Sequence, residues 1–420
     1  MMTSVQHACS PLRAERIASI DVFRGLTMLL MLFVNDIGDI DLGHIQNAPW
    51  WLKHMPNDVD GMTVADVILP CFLFIVGLAI PIALERRVAI GDSLTKLSWH
   101  IVIRAMALIF IGLCMVNSCH GCRLDEAAMG MSGAWWRIGM FSGVVMFWNR
   151  YPTSQGAKRW LFAVMRIFAA VLLVYLLAIY RSVDGDTSAW LQPRWWGIIG
   201  LIGWAYFVSA FVWLACRNNG AALMGVFALL IAQNIGVRSG MLSWWGSIID
   251  ATHGWFPGPG IASDASMVIA GMAVATLFRP ASSASTPRSR IVWTWIFGLG
   301  FTAAGLLLQP LWGIHKSGGT PSWILCSLGI ACAAYAFLYW LIDVKRIVGW
   351  TAFLAPAGSN TLLMYMLPYI FYSMLSILGI DYLQTHFQEG WPGVARAAVI
   401  AMCLVVVTGV MTRCGIRLKV

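Results

Sequence analysis

The stretch Gly61-Met62-Thr63-Val64-Ala65-Asp66-Val67-Ile68-Leu69-Pro70-Cys71-Phe72-Leu73-Phe74-Ile75-Val76-Gly77-Leu78-Ala79-Ile80 decides the fold. From residue 64 to residue 84 a single ionisable side chain, Asp66, interrupts an apolar run. A helix that crosses the hydrocarbon core of a bilayer needs about 20 mostly apolar residues. Its backbone must satisfy its own hydrogen bonds there, so such a run is read as a helix. Working outward, the pattern recurs. Segments 195–216, 291–314 and 323–342 contain no Asp, Glu, Lys or Arg. Segments 22–34, 99–117, 134–148, 160–180, 221–235, 262–278, 358–378 and 394–411 are further candidates, twelve spans in all. Three of them (22–34, 134–148 and 221–235) are short, which leaves ten or eleven open. Barrel strands would read as alternating segments of about ten residues, and these do not. The expectation is an all-α, polytopic integral membrane helical bundle.

Composition agrees. Apolar residues make up 59% of the chain and charged residues 11%, against roughly 45–50% and 25% in soluble domains. So few charges do not cover a soluble surface, whereas lipid solvates an apolar exterior. With the N-terminus placed in the cytoplasm, eighteen of the 28 Lys and Arg fall on the inner side, seven on the outer side and three within spans. That bias follows the positive-inside rule and puts both termini in the cytoplasm. Topology therefore accounts for the net charge of +9, and no nucleic-acid partner is needed. The first twenty residues are polar, so the first span is expected to act as an uncleaved signal anchor. Residues 1–420 read as a single membrane domain. Residues 279–290, rich in Ser, Pro and Arg, read as a cytoplasmic linker between two helix groups. Most cysteines sit in or beside spans as small buried hydrophobes. Cys119 and Cys122 fall in an outer loop, where either a disulfide or two free thiols is allowed.

Polar groups at membrane depth are costly, so their clusters point to function. The densest cluster follows the first span and carries Asn35, Asp36, Asp39, Asp41, His44, Lys53 and His54; Asp58, Asp60 and Asp66 open the second. A solvated loop is one reading. A metal site of His44, His54 and carboxylates is another, but its spacing matches no ligand signature. The third is a catalytic base beside a polar amide. On the opposite side, Arg24 and Arg104 lie near the inner ends of their spans. They read either as snorkelling anchors or as phosphate ligands, through the planar fork of guanidinium donors. Ala357-Gly358-Ser359-Asn360-Thr361 puts small and amide side chains at helix-packing depth, which reads as packing glue.

At these residues the chain resembles a known family. Ser19-Ile20-Asp21-Val22-Phe23-Arg24-Gly25 with Phe33-Val34-Asn35, and Gly61-Met62-Thr63-Val64-Ala65-Asp66 leading into Phe72-Leu73-Phe74, are similar to the opening of the heparan-alpha-glucosaminide N-acetyltransferase family. Ile314-His315-Lys316, Thr320-Pro321-Ser322-Trp323, Ile342-Asp343-Val344-Lys345 and Pro356-Ala357-Gly358-Ser359-Asn360-Thr361 continue the resemblance in order along the chain. It is to the bacterial branch, which lacks the luminal domain of the animal enzymes.

The resemblance implies a transmembrane acetyltransferase of the bacterial inner membrane. Acetyl-CoA is the co-substrate and enters from the cytoplasm. The acceptor is an amino sugar of glucosamine type, free or in an oligosaccharide, at the periplasmic face. No metal is implied, and a homodimer is compatible. The family's catalytic Asn falls on Asn35, its catalytic His on His54, and the Asp closing the second block on Asp66. After His54 the chain departs from the family's His-Ala-x-Trp-Asn-Gly, which leaves His44 as a rival. A neutral imidazole takes the proton of an attacking amine. The Asn35 amide is suited to donate to the oxyanion. Asp66 either orients the imidazole or holds the sugar. Arg24 and Arg104, with Ser359 and Asn360, are the candidate donor contacts. An amino-sugar transporter, an O-acetyltransferase acting on a glycan hydroxyl and a non-catalytic scaffold stay open as alternatives.

Overall fold

A computed structural model describes residues 17–38, 45–118, 124–152, 157–184, 187–252, 254–255, 258, 260–279, 282 and 284–419. The protein is an all-α integral membrane bundle. Its long helices are α1 (Ala18–Gly38), α2 (Val64–Ala89), α3 (Leu94–Val116), α4 (Gly133–Trp148), α5 (Ala157–Ile179), α6 (Gly197–Cys216), α7 (Gly220–Arg238), α8 (Gly260–Ala275), α9 (Pro287–Trp312), α10 (Pro321–Tyr339), α11 (Thr361–Ile377) and α12 (Gly390–Arg413). Every expected span falls on one of them. Among the described residues ten helices are long and apolar enough to cross a bilayer, α8 by counting its 3-10 continuation to Phe278; α4 and α11, at 16 and 17 residues, are shorter. The only strands among the described residues, Ser182–Asp184 and Thr187–Ala189, form one small hairpin between α5 and α6.

The expected span 358–378 is broken. Helix Ala355–Ser359 stops and α11 starts anew at Thr361, with Asn360 between them at φ −134° and ψ 48°. The Asn360 amide donates to Thr412 Oγ1 (3.0 Å) and to the Ile416 carbonyl (2.9 Å), while its oxygen accepts the Leu418 N–H (3.2 Å). The break therefore pins the carboxy-terminal tail to the end of the bundle. Gly358 lets α1 come close: a Cβ there would lie 2.4 Å from the Asp21 carbonyl oxygen.

Helix α8 runs through the interior, with every side chain from Ala262 to Ala275 buried. It packs along α2, where a Cβ on Gly77 would lie 2.0 Å from the Val268 carbonyl oxygen. Small residues are what let helices approach when lipid supplies no hydrophobic drive between them. Helices α5 and α9 instead turn Trp160, Val164, Phe168, Leu299 and Leu307 outward, as lipid-facing helices do. Loop contacts fall into two sets. Gln46 with Glu389, Asp60 with Ile314 and Leu124 with Ser182 join loops at one end. Asp343 with Ala18 and Ser19, Arg279 with Glu85, and Asn149 with Arg417 join them at the other. The expected linker carries structure of its own here: the Ser282 hydroxyl donates to the Leu277 carbonyl, and Thr286 caps α9.

Candidate active site

The site starts from one helix terminus. Thr63 precedes α2 and Asp66 stands three residues on, the arrangement of a capping box. The Asp66 carboxylate accepts the Thr63 N–H (3.0 Å) and the Met55 N–H (3.1 Å) on Oδ2, and Oδ1 lies 2.8 Å from His54 Nδ1. Thr63 Oγ1 donates to the Lys53 carbonyl at 2.6 Å, which closes the loop back on the helix start. Pro70 lacks the N–H that would reach the Asp66 carbonyl four residues back. The indole N–H of Trp323, at the start of α10, fills that position at 3.2 Å. One proline thus leaves a socket, and one tryptophan locks α10 onto the first turn of α2.

A carboxylate only accepts, so the proton between Asp66 and His54 belongs to Nδ1, which leaves the ring's lone pair on Nε2. Asp66 is 1% exposed and the His54 side chain 44% exposed, so the carboxylate is buried and the imidazole is reachable. Lys316, from the loop between α9 and α10, brings Nζ to 3.0 Å from Nδ1 and 3.1 Å from Nε2 of His54, and to 4.0 Å from Asp66 Oδ1. Burial pulls the Lys316 amine down to about 8, with Asp66 opposing the shift. The loop is held by Asp60, which accepts the Ile314 N–H (2.6 Å) and the Gln309 amide (3.0 Å). Those two bonds hold the Asp60 carboxyl below its ordinary range. Asn57 and Ser317 add a further contact between the loops.

The structure brings His54 and Asp66 together. Asn35 is on α1. It is half-buried and lines a cavity between α1, α11 and α12 with Tyr365, Tyr369, Tyr372 and Ile400. Beside it, buried Asp36 accepts from Tyr372 and from Arg396 (3.4 Å). Among the described residues no hydrogen bond joins Asn35 to His54 or Asp66. His44, Cys119 and Cys122 lie outside the described residues. At the other end, Arg24 contacts Asp21 (3.5 Å) and the Gly358 carbonyl (3.3 Å), so it adjoins the Ser359–Asn360 turn. The Asn360 amide is engaged with the tail, and the Ser359 hydroxyl donates to Pro356 (3.3 Å). Arg104 is apart from these, over the Tyr206 ring at 4.9 Å. Lys316 had no site role in the sequence reading. The Ile314-His315-Lys316 motif carried the signal, but nothing local joined it to His54.

Fold and site define a polytopic integral membrane protein with a histidine–carboxylate pair at one end of its bundle. Residues 16–257 match the family described as a domain of unknown function, DUF5009, and the chain belongs to that family. It is also similar to the heparan-alpha-glucosaminide N-acetyltransferase of Mus musculus, 35% identical over 204 residues, covering 44% of this chain and 29% of that protein. The protein of the same name from Homo sapiens is 36% identical over 102 residues, 24% of this chain and 14% of that one. The matches thus span less than a third of those relatives' length. They agree with the family resemblance carried by the motifs.

Proposed function

We propose that this protein is a transmembrane acetyltransferase of the bacterial inner membrane. It takes the acetyl group of acetyl-CoA from the cytoplasmic, arginine-rich end and attaches it to the amine of a glucosamine-type sugar at the His54 end. One observation carries this reading: an amine nitrogen, that of Lys316, already stands beside the His54 ring, 3.0 Å from Nδ1 and 3.1 Å from Nε2. An acceptor amine needs that same position to hand over its proton. The similarity to the two N-acetyltransferases supports the choice of acyl group and acceptor.

In the reaction the acceptor nitrogen attacks the thioester carbonyl carbon, and its proton passes to His54 Nε2. Asp66 holds Nδ1–H and stabilises the imidazolium that results. The Asn35 amide donates to the oxyanion. The intermediate collapses, the C–S bond breaks, and CoA leaves as a thiol with the proton returned by His54. Arg24 and Arg104 take the donor's phosphates, and the Ser359–Asn360 turn forms the floor beside Arg24. Both termini are cytoplasmic in this arrangement. The test uses proteoliposomes with labelled acetyl-CoA on the arginine-rich side and a panel of amino sugars on the other. Labelled N-acetyl sugar is expected, and its loss in His54→Ala. Movement of unmodified sugar without label would favour a transporter, and label on a hydroxyl an O-acetyltransferase.

A further inference from the structure

The end of the bundle opposite His54 holds a column of cations that the reaction above uses only in part. His100 and Arg104 are one turn apart on α3 and share a face. Arg104 stands against buried Tyr206 of α6. Arg87, near the end of α2, pairs with Asp92 in the α2–α3 turn at 2.9 Å, and Lys96 takes the other Asp92 oxygen at 2.5 Å. The Lys419 N–H donates to the Trp148 carbonyl at 3.2 Å, which holds the carboxy-terminal tail against this end of α4. Arg87, Arg104 and Lys419 all act electrostatically on His100, and Asp92 is the one carboxylate that does.

Charge and hydrogen bonding are both unbalanced here. Asp92 is already shared by two cations, and nearby Glu85 is taken by Arg279 at 2.9 Å. The Nε atoms of Arg87 and Arg104 are buried without a hydrogen-bond partner among the described residues. A snorkelling anchor keeps its donors in water, so it does not explain buried Nε atoms. Ionisable groups at membrane depth pair with something or mark a ligand. Planar guanidinium donors match phosphate oxygens best.

We propose that Arg87, His100, Arg104 and Lys419 form a phosphate-binding site at the inner end of α2 and α3. The ligand chemistry is a phosphate ester. It comes either from the headgroup of an anionic phospholipid, which basic pockets between membrane helices bind, or from the phosphates of CoA. The CoA source rests on the acetyltransferase reading; the lipid source does not. The experiment uses the full chain in nanodiscs and compares wild type, Arg87→Gln/Arg104→Gln and, as a basic change on α5 outside the proposed set, Lys158→Gln. CoA binding is measured by calorimetry in phosphatidylcholine discs. Retention of phosphatidylglycerol is measured by native mass spectrometry. The double variant is expected to bind one of the two at least about tenfold more weakly, as loss of charge-assisted bonds predicts, with Lys158→Gln unchanged. A loss confined to CoA assigns the donor; a loss confined to phosphatidylglycerol assigns the lipid and survives failure of the acetyl-transfer assay. If the double variant does not fold, Arg104→Lys is read instead, because it keeps the charge and loses the fork. Unchanged binding of both ligands, or no binding of either by wild type, overturns the site.

Discussion

At one end of the bundle the Asp66 carboxylate accepts from Met55, Thr63 and His54, and Lys316 completes the cluster. At the other, Arg87 and Arg104 carry buried Nε atoms without hydrogen-bond partners among the described residues, and the cations acting on His100 outnumber Asp92. The first cluster is neutralised by its own residues. The second is not, and its excess charge is what a ligand would supply. A group that must move a proton needs its tautomer and direction set before substrate arrives. A group that grips an anion keeps its donors open until the anion comes. The difference in internal pairing is therefore a difference in task.

The sharpest way to break this comparison is at His54. His54→Ala is expected to lower acetyl transfer by about 10²–10⁴ while CoA binding stays, because the imidazole is reachable and packs little. Near-native turnover in that variant would move the base elsewhere, with His44→Ala as the control. Asn35→Ala follows, with an expected fall of about 10²–10³ if the amide faces the oxyanion. Asn35 and His54 lie in separate clusters, so the ratio between the double variant and the product of the singles reads whether they share one transition state. Strict multiplicativity would count against a common step.

A smaller effect concerns pH. The Lys316 ammonium lies against both ring nitrogens of His54 and occupies the space a substrate amine needs. Turnover is expected to rise through the Lys316 value of about 8. In Lys316→Gln the limb at that value should disappear. A limb that stays near its native position would separate Lys316 from catalysis. Least affected should be the loop clamp. The Asp60 carboxyl is held low by Gln309 and Ile314. Its contribution is thus complete above the ordinary carboxylate range and lost as pH falls through its lowered value. Asp60→Asn should raise amide exchange at Ile314 at neutral pH, and the wild-type chain should match it only in acid. Equal exchange in both at neutral pH would remove Asp60 from the clamp.

Each expected span contained the core of a helix, because an uninterrupted apolar run has few other solutions in lipid. The break at Asn360 was missed. Apolar length says nothing of an amide that binds a tail more than fifty residues further on. In the site, the family resemblance pointed to His54 and Asp66 but left Asp66 either to orient the imidazole or to hold the sugar; the capping box and the 2.8 Å contact came with the structure. Arg24 and Arg104 looked alike as inner-face cations. Packing set them apart, one on Gly358 and the other on Tyr206.

By itself the sequence determined the membrane class, the helices and the residue types able to do the chemistry. Those properties are local: hydropathy, caps and prolines act within a few turns. Only the tertiary structure brought Lys316 to His54 across 262 positions, paired Arg396 with Asp36 across 360, and turned Trp323 into the donor that Pro70 left wanting. The physical reason is that each bond depends on which helices are neighbours. That is decided by the close contacts their small residues permit, such as Gly77 against Val268, and the chain order does not encode them as spacing.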